Sequence, residues 1–322
     1  MISTMKAAVY TQYGAPEVLQ LRNLEKPAPK ANEVLIQIHA TAATSGDCRL
    51  RSADPFAVRF FFGLFKPKTA VLGGVFSGKI EAVGEQVTQF KAGDLVFGAT
   101  SMTFGAYAEY ICLPETAALT IKPENLRHEE AATLPFGGTT ACHFLKKANI
   151  QPGQKVLIYG ASGAIGTAAV QIAKQFGAEV TGVCSTANMN MVKSLGADHV
   201  IDYTKEDFAK NGKQYDVVYE TVNKAAVSSC IAALKSNGTL ILGAAMLPEM
   251  LQGSWASMTS GIKVISGVAI ATPEEVRFLS QLTEAGKLKP VIDRTFALEQ
   301  IVDAHRYVDQ GHKKGNVIIT MH

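Results

Sequence analysis

A run of small residues, Gly160, Ala161, Ser162, Gly163, Ala164, Ile165 and Gly166, follows the apolar stretch Lys155 to Tyr159 and leads into Thr167 to Lys174. The chemistry such a run can do is anion binding. With few side chains in the way, backbone N–H groups can approach phosphate oxygens, and the start of the next helix adds unpaired N–H donors and a partial positive charge. An apolar strand entering a bare turn that opens a helix is the arrangement that seats a nucleotide pyrophosphate. Glycines at this spacing also mark ordinary strand-to-helix turns, so the flanks decide. Here Ala168 and Ala169 are small enough to lie close on a sheet, and Gly177 stands where a left-handed helix stop is expected.

A second strand, Glu179 to Cys184, ends close to the roughly 20 residues beyond the last glycine at which a dinucleotide fold reads the adenosine ribose. An acid there would hold the ribose 2′-hydroxyl, but the chain continues through Ser185 and Thr186 with no Asp or Glu before Asp198. A charge that would repel a 2′-phosphate is therefore missing.

The other chemically capable residues are scattered. Cys48, Cys112, Cys142, Cys184 and Cys230 are odd in number and show no Cys-x-x-Cys spacing, which fits reduced thiols rather than a disulfide framework or structural zinc. His39, His128, His143, His199, His305, His312 and His322 are too dispersed to mark a metal site, and none is expected. The formal charge of +3 gathers into no basic run longer than Lys146-Lys147 or Lys313-Lys314, so no nucleic-acid partner is expected. Met1 to Tyr10 shows no apolar signal core, and the greasiest stretch, Phe56 to Phe65, is short and interrupted by Arg59. Neither secretion nor membrane spanning is expected, and a cytoplasmic protein is.

The elements that must position the turn divide the 322 residues into about two domains. To about Lys122 the chain reads as short strands (Lys6 to Tyr10, Val18 to Leu24, Glu33 to Thr41, Gly78 to Val83, Asp94 to Phe97, Ala106 to Leu113) cut apart by Gly and Pro. That pattern predicts a barrel-like antiparallel domain. From Pro123 strands alternate with helices: Lys155–Tyr159, Glu179–Cys184, His199–Tyr203, Tyr215–Tyr219, Thr239–Gly243 and Lys263–Val268, with helices at Asn188–Leu195 and Ala225–Lys235 between them. Six such strands predict a doubly wound parallel sheet with helices on both faces. Helical patterns at Pro273–Glu284 and Leu298–Asp309 and a strand at Asn316–Thr320 return the tail to the first domain. The expected division is 1–122 with 270–322 against 123–269.

These segments resemble the medium-chain dehydrogenase/reductase superfamily, specifically its zinc-free quinone oxidoreductase (zeta-crystallin-like) branch. The resemblance runs along nearly the whole chain. It rests on Met5-Lys6-Ala7, Gly14 to Leu19, Phe76-Ser77-Gly78, Val83-Gly84, Gly93 to Gly98, Gly105 to Tyr110, Leu134-Pro135 with Thr140-Ala141, the glycine turn, and Ser194 to Asp198 running into Val200 to Tyr203. It implies an α/β protein with a GroES-like antiparallel β-barrel catalytic domain and a Rossmann domain. One departure stands in the turn: where relatives often carry Gly-Gly, this chain has Gly163-Ala164, which requires a negative φ at Ala164.

Zinc-dependent members hold their metal with a Cys, a His-Glu pair and usually a third Cys. Motif matching puts Thr44, then Gly74 and Val75, and then Phe136 or Gly137 at those places, none offering a thiolate, imidazole or carboxylate. The resemblance implies that Gly160 to Gly166 hold the pyrophosphate of NADPH, with NADH as the other possibility. Ser185, Thr186 and Asn188 would face the 2′-phosphate and Tyr203 the adenosine ribose, although relatives can carry a Lys or Arg at Asn188. Thr140 would bind the nicotinamide-side phosphate or ribose, and Thr44 would approach the nicotinamide. Gly243, Ala244, Val268 and Ala269 would bring their backbones near its carboxamide, and Lys314, Gly315 and Asn316 would close over the adenosine end.

Without a Lewis acid to stabilise an alkoxide, an acceptor that delocalises the incoming charge itself is favoured. A quinone or α,β-unsaturated carbonyl is the expected substrate, with Thr44, Asp47 and Tyr107 as the catalytic candidates. Phe56 to Phe65 reads either as an aromatic wall for a planar acceptor or as a helix burying phenylalanines. The alternatives are an alcohol or aldehyde dehydrogenase-reductase of the same superfamily and a non-catalytic NADPH-binding protein. A homodimer is expected through an uncovered edge at Lys263 to Val268.

Overall fold

The computed structural model describes residues 3–244 and 247–321. The strands in chain order are β1 (Thr4–Val9), β2 (Gln20–Glu25), β3 (Glu33–Ala43), β4 (Val75–Val83), β5 (Leu95–Ala99), β6 (Tyr110–Pro114), β7 (Leu119–Ile121), β8 (Lys155–Tyr159), β9 (Glu179–Cys184), β10 (His199–Asp202), β11 (Tyr215–Glu220), β12 (Leu234–Leu242), β13 (Lys263–Ser266), β14 (Ile292–Ala297) and β15 (Asn316–Thr320). The chain forms two compact units. The first takes the residues up to Phe136 with Ala271–Glu284 and the tail from Pro290; the second takes Gly137–Ile270 with Ala285–Lys289.

In the β-rich unit the long strand β3 is the hub. Ala40 to Ala43 pair with β15, while Val34 to Ile38 lie between β4 and β6. The sheet order is β14-β15-β3-β4-β5-β7, with β6 on β3 and a separate β1–β2 ribbon. The pairs are antiparallel except β14–β15, which is parallel because the helix Ile301–Asp309 carries the chain across between them. Ile36, Ile38, Phe76, Ile80, Val96, Tyr107, Val317 and Ile319 fill the interior, closed by Ala304 and Val308 of that helix. The residues beyond 122 that precede Gly137 belong here too. Lys122 Nζ holds the Pro123 and Leu126 carbonyls, Ala132 lies among Ala40, Ala42, Val75 and Ile318, and Ser77 Oγ lies 2.8 Å from His128 Nδ1. Those contacts move the division from the expected 122/123 to Phe136.

The second unit is a six-stranded, all-parallel sheet in the order β10-β9-β8-β11-β12-β13. The strand order reverses beside β8, so its carboxyl end is the switch point at which open α/β sheets take ligands. Gly177 has φ 80° and ends the helix Ala164–Gln175, as its position predicts.

Several boundaries differ from the pattern. The helix expected over Ala225–Lys235 covers only Val227–Ala232, because Leu234 already pairs with Tyr215 as the start of β12. The last strand stops at Ser266, ahead of Gly267 at φ 127°. The strand expected from Ala106 starts at Tyr110; before it the chain is held by Tyr107 N–H to Leu72 O and Glu109 N–H to Lys6 O. Pattern reading missed β7, β14 and the helices Ser45–Ser52 and Leu247–Ser260. In Phe56 to Phe65 the helix spans only Val58–Phe62 and buries no residue, so the core-filling alternative fails. Phe61 is 75% exposed and Phe65 88%.

Candidate active site

The glycine turn is built by close approach. Gly160 adopts φ 81°, and its N–H and that of Ala161 both donate to Val183 O in β9. A Cβ on Gly166 would lie 2.1 Å from Gly160 O, so only glycine lets the helix Ala164–Gln175 start against the turn. Gly137 does the same from the opposite side, where a Cβ would meet Ala164 O at 2.2 Å. Ala164 is the first helical residue and is not in the left-handed region, so its Cβ is accommodated. No side chain caps the helix at Gly163, and its first N–H bond back to the turn is Thr167 to Gly163 O. The N–H groups of Ala164, Ile165 and Gly166 are thus left for an anion. A cradle that a Cβ would fill, opening on uncapped donors at the sheet's switch point, fits a dinucleotide pyrophosphate.

Beside the cradle, Asn188 ties two hydroxyls together: its Nδ2 donates to Ser162 Oγ at 3.1 Å and to Ser185 Oγ at 3.2 Å. Its Oδ1 is buried with no partner, an orphan acceptor that a bound hydroxyl would satisfy. Ser185 heads the short turn Thr186–Asn188, and its side chain makes no cap hydrogen bond there. Asp202, which the sequence reading missed, ends β10 level with Cys184 and accepts from Thr186 Oγ1 and from Thr204 N and Oγ1. Those hydroxyl bonds hold its carboxyl below the usual range. The Tyr203 ring is about half exposed and lies 6.4 Å from that of Tyr159. An acidic group therefore does stand at this end of the sheet, contributed by β10 rather than β9.

Other expected cofactor residues lie on the same unit. Gly243 donates its N–H to Glu220 O, and a Cβ on it would strike the Tyr219 ring at 2.5 Å; Ala244 follows. Val268 is 76% exposed just after β13, with Ala269 beside it, and Thr140 lies in the helix Leu134–Ala148. Glu220, also missed, accepts the N–H groups of Val222, Asn223 and Lys224 and so shapes the loop after β11.

The β-rich unit holds the catalytic candidates. Thr44 caps the helix Ser45–Ser52 in a reciprocal capping box: Asp47 N–H donates to Thr44 Oγ1, and Thr44 N–H donates to Asp47 Oδ2 at 3.0 Å. Thr44 Oγ1 also donates to Asp47 Oδ2 at 2.6 Å, and Gly73 N–H donates to Oδ1 at 3.2 Å. Asp47 is 2% exposed and Tyr107 is fully buried, with its hydroxyl 3.1 Å from His305 Nε2. Burial pushes the Tyr107 phenol and the Asp47 carboxyl up, the latter against the donors that converge on it. Both are interior groups behind Thr44. In the same unit Lys314 is exposed, with its N–H on Asp293, whereas Asn316 is buried and donates Nδ2 to Val291 O.

Among the described residues no three His, Cys, Asp or Glu side chains gather as a metal site. No helix among them is long and apolar enough to cross a membrane.

Residues 30–123 match the alcohol dehydrogenase GroES-like domain, and residues 195–319 match the family described as zinc-binding dehydrogenase. The chain is 35% identical to 2-methylene-furan-3-one reductase of Solanum lycopersicum over 98% of its own length and 79% of that protein's. It is 30% identical to the chloroplastic NADPH-dependent alkenal/one oxidoreductase of Arabidopsis thaliana, over 98% and 79% of the two chains. The structure of the quinone oxidoreductase from Coxiella burnetii superposes with a TM-score of 0.90 at 29% identity, covering 99% of this chain and 100% of that one.

Proposed function

The chain belongs to the medium-chain dehydrogenase/reductase superfamily, in its quinone oxidoreductase branch, and we propose that it is an NADPH-dependent reductase of quinones or α,β-unsaturated carbonyls. The observation that carries the reading is the uncapped helix start behind Gly160 to Gly166, a seat in which Gly160 and Gly166 leave no room for a Cβ. When bound, the reduced nicotinamide supplies a hydride. Ala164, Ile165 and Gly166 would hold the pyrophosphate by their N–H groups. Ser185, Asn188 and Tyr203 would hold the adenosine end, with the orphan Asn188 Oδ1 accepting from a ribose hydroxyl. Thr140 and the backbones of Gly243, Ala244, Val268 and Ala269 are assigned to the nicotinamide end, and Thr44 is assigned to approach the nicotinamide.

The acceptor class follows from the donor set. Thr44, Gly74 and Val75 stand where zinc-dependent relatives place metal ligands, and none can bind zinc through a side chain of the required kind. A substrate that spreads the arriving charge over a conjugated system needs no such ligand set. The expected reaction is therefore metal-independent, and the exposed phenylalanines of 56–65 suit a flat, apolar acceptor. NADPH is preferred on the absence of an acid at the end of β9, and Asp202 is the residue that limits the preference. A cytoplasmic homodimer pairing through β13 completes the reading.

NADPH and NADH oxidation measured against a panel of quinones, enones and simple aldehydes, with and without a chelator, tests it. Turnover of conjugated acceptors, faster with NADPH and unchanged by chelator, is expected. Turnover of simple carbonyls alone, abolished by chelator, overturns it, and tight NADPH binding with no acceptor reduced makes the protein a non-catalytic binder.

A further inference from the structure

Five apolar side chains of one short segment, Phe56, Phe60, Phe61, Leu64 and Phe65, stand in solvent, between 44% and 88% exposed. The exposure is built into the fold, because the backbone beneath them is tied down. Gly63 turns the chain at φ 124°, where a Cβ would lie 2.0 Å from Lys66 O, and the Tyr13 hydroxyl donates to Gly63 O at 2.7 Å. Lys68 N–H donates to Phe62 O at 2.8 Å. The Arg59 guanidinium lies 4.8 Å from the centre of the Tyr13 ring and 5.2 Å from that of Phe56, and the Phe62 ring packs edge-on against Phe104. Arg59 and Phe62 hold the turn, and the remaining apolar side chains are left to the surroundings.

The charges within this segment have one sign. Lys66 and Lys68 are exposed, Arg59 is half-buried, and no Asp or Glu occurs between Asp54 and Glu81. Lys68 Nζ takes the Phe61 carbonyl at 3.2 Å, and Arg59 Nε is a buried donor with no partner. Apolar tips rimmed by cations are what an anionic bilayer accepts: the rings enter the acyl boundary while the cations stay among the headgroup phosphates. A protein partner would need a packed, shape-complementary core, and the helix Val58–Phe62 is too short to offer a stripe for one. A fluid bilayer needs only depth. No helix among the described residues can cross a membrane, so the contact is peripheral.

We propose that Phe56 to Lys68 docks the protein on the surface of an anionic lipid bilayer, with Phe60, Phe61, Leu64 and Phe65 at the acyl boundary and Arg59, Lys66 and Lys68 on lipid phosphates. The docking is independent of the reductase reading. Its consequence, that the conjugated acceptor is drawn from a pool dissolved in lipid, rests on that reading.

Co-sedimentation of the full chain with vesicles tests the docking without any turnover. Vesicles of phosphatidylcholine alone are compared with vesicles of phosphatidylcholine and phosphatidylglycerol in equal parts. The parent protein, Phe61→Ser/Phe65→Ser and Lys66→Gln/Lys68→Gln are each measured, with melting curves to verify folding. Binding to the anionic vesicles that weakens as salt is raised is expected. Lys66→Gln/Lys68→Gln should lower the partition coefficient roughly 10- to 30-fold, the worth of two cations at such a surface, and Phe61→Ser/Phe65→Ser at least about 10-fold. Absence of binding to anionic vesicles, equal binding to neutral ones, or binding that survives the phenylalanine substitutions overturns the proposal. Sedimentation velocity without lipid covers the rival occupant: a dimer that Phe61→Ser/Phe65→Ser dissociates assigns the patch to a second copy of the chain instead. If anionic vesicles are bound and no acceptor is reduced, the reductase reading fails and the docking holds.

Discussion

Gly166 is the residue on which the nucleotide seat turns. The 2.1 Å gap between its notional Cβ and Gly160 O is far below any real contact, so Gly166→Val should push the helix off the turn. Loss of NADPH binding together with a melting temperature several degrees lower is expected, read by calorimetry and thermal unfolding. Asp202 makes the opposite kind of prediction. Its carboxylate adds negative charge near where a 2′-phosphate is assigned, and it holds the Thr186 hydroxyl. Asp202→Asn should shift the kcat/KM ratio several-fold toward NADPH over NADH, and a shift toward NADH would refute its assigned role. The glycines were legible because their spacing is local. Asp202, Arg51 and His305 were not, since each acts on residues distant in sequence: Asp202 on Thr186 across a strand pairing, and Arg51 on a histidine 254 positions away.

Among the elements, those of the second unit were read most closely, with β8 and β9 beginning and ending where the pattern placed them. Buried parallel strands are continuous apolar runs bounded by glycine and polar turns, a signal that needs no knowledge of neighbours. The β-rich unit was harder. β14 reads Ile292, Asp293, Arg294, Thr295 and Phe296, too polar to suggest a strand, and becomes one only because β15 lies beside it. The segment around Val58–Phe62 misled in the other direction, since five phenylalanines suggest a core that the helix does not join. Phe61→Ser and Phe65→Ser should therefore leave stability within about 0.5 kcal/mol, read from urea midpoints. Slower quinone turnover in the same variants would place the segment at the acceptor.

For the molecule as a whole, stability should fall in acid for an identifiable reason. His305 is held neutral inside the β-rich unit, its pKa lowered to about 3 by burial and by the Arg51 charge. The unfolded chain binds a proton there near pH 6.5, so it is the more protonated state between those values. The stabilisation is complete above about pH 6.5 and is lost as pH falls toward 3, at up to about 1.4 kcal/mol per pH unit. His128, lowered to about 4 chiefly by burial, acts in the same direction. Urea midpoints from pH 4 to 8 should rise with pH, and His305→Gln should flatten that slope. β13 forms one edge of the six-stranded sheet, and the nearby Trp255, Val268 and Ile270 are exposed. Sedimentation at micromolar concentration should show a dimer, which Val268→Lys should dissociate; a monomer in the parent protein would remove pairing through this edge.

Periodicity, turn residues and the glycine spacing in the sequence by themselves determined the strand–helix alternation, the parallel sheet and the anion seat, because each is a property of neighbours along the chain. The tertiary structure alone decided that Asp47 and Tyr107 stand behind Thr44 rather than at a surface, and that an acid from β10 reaches the end of β9. It also decided that an arginine meets a buried histidine. Those outcomes depend on which strands become neighbours and which side chains lose water, and neither is written in the order of residues.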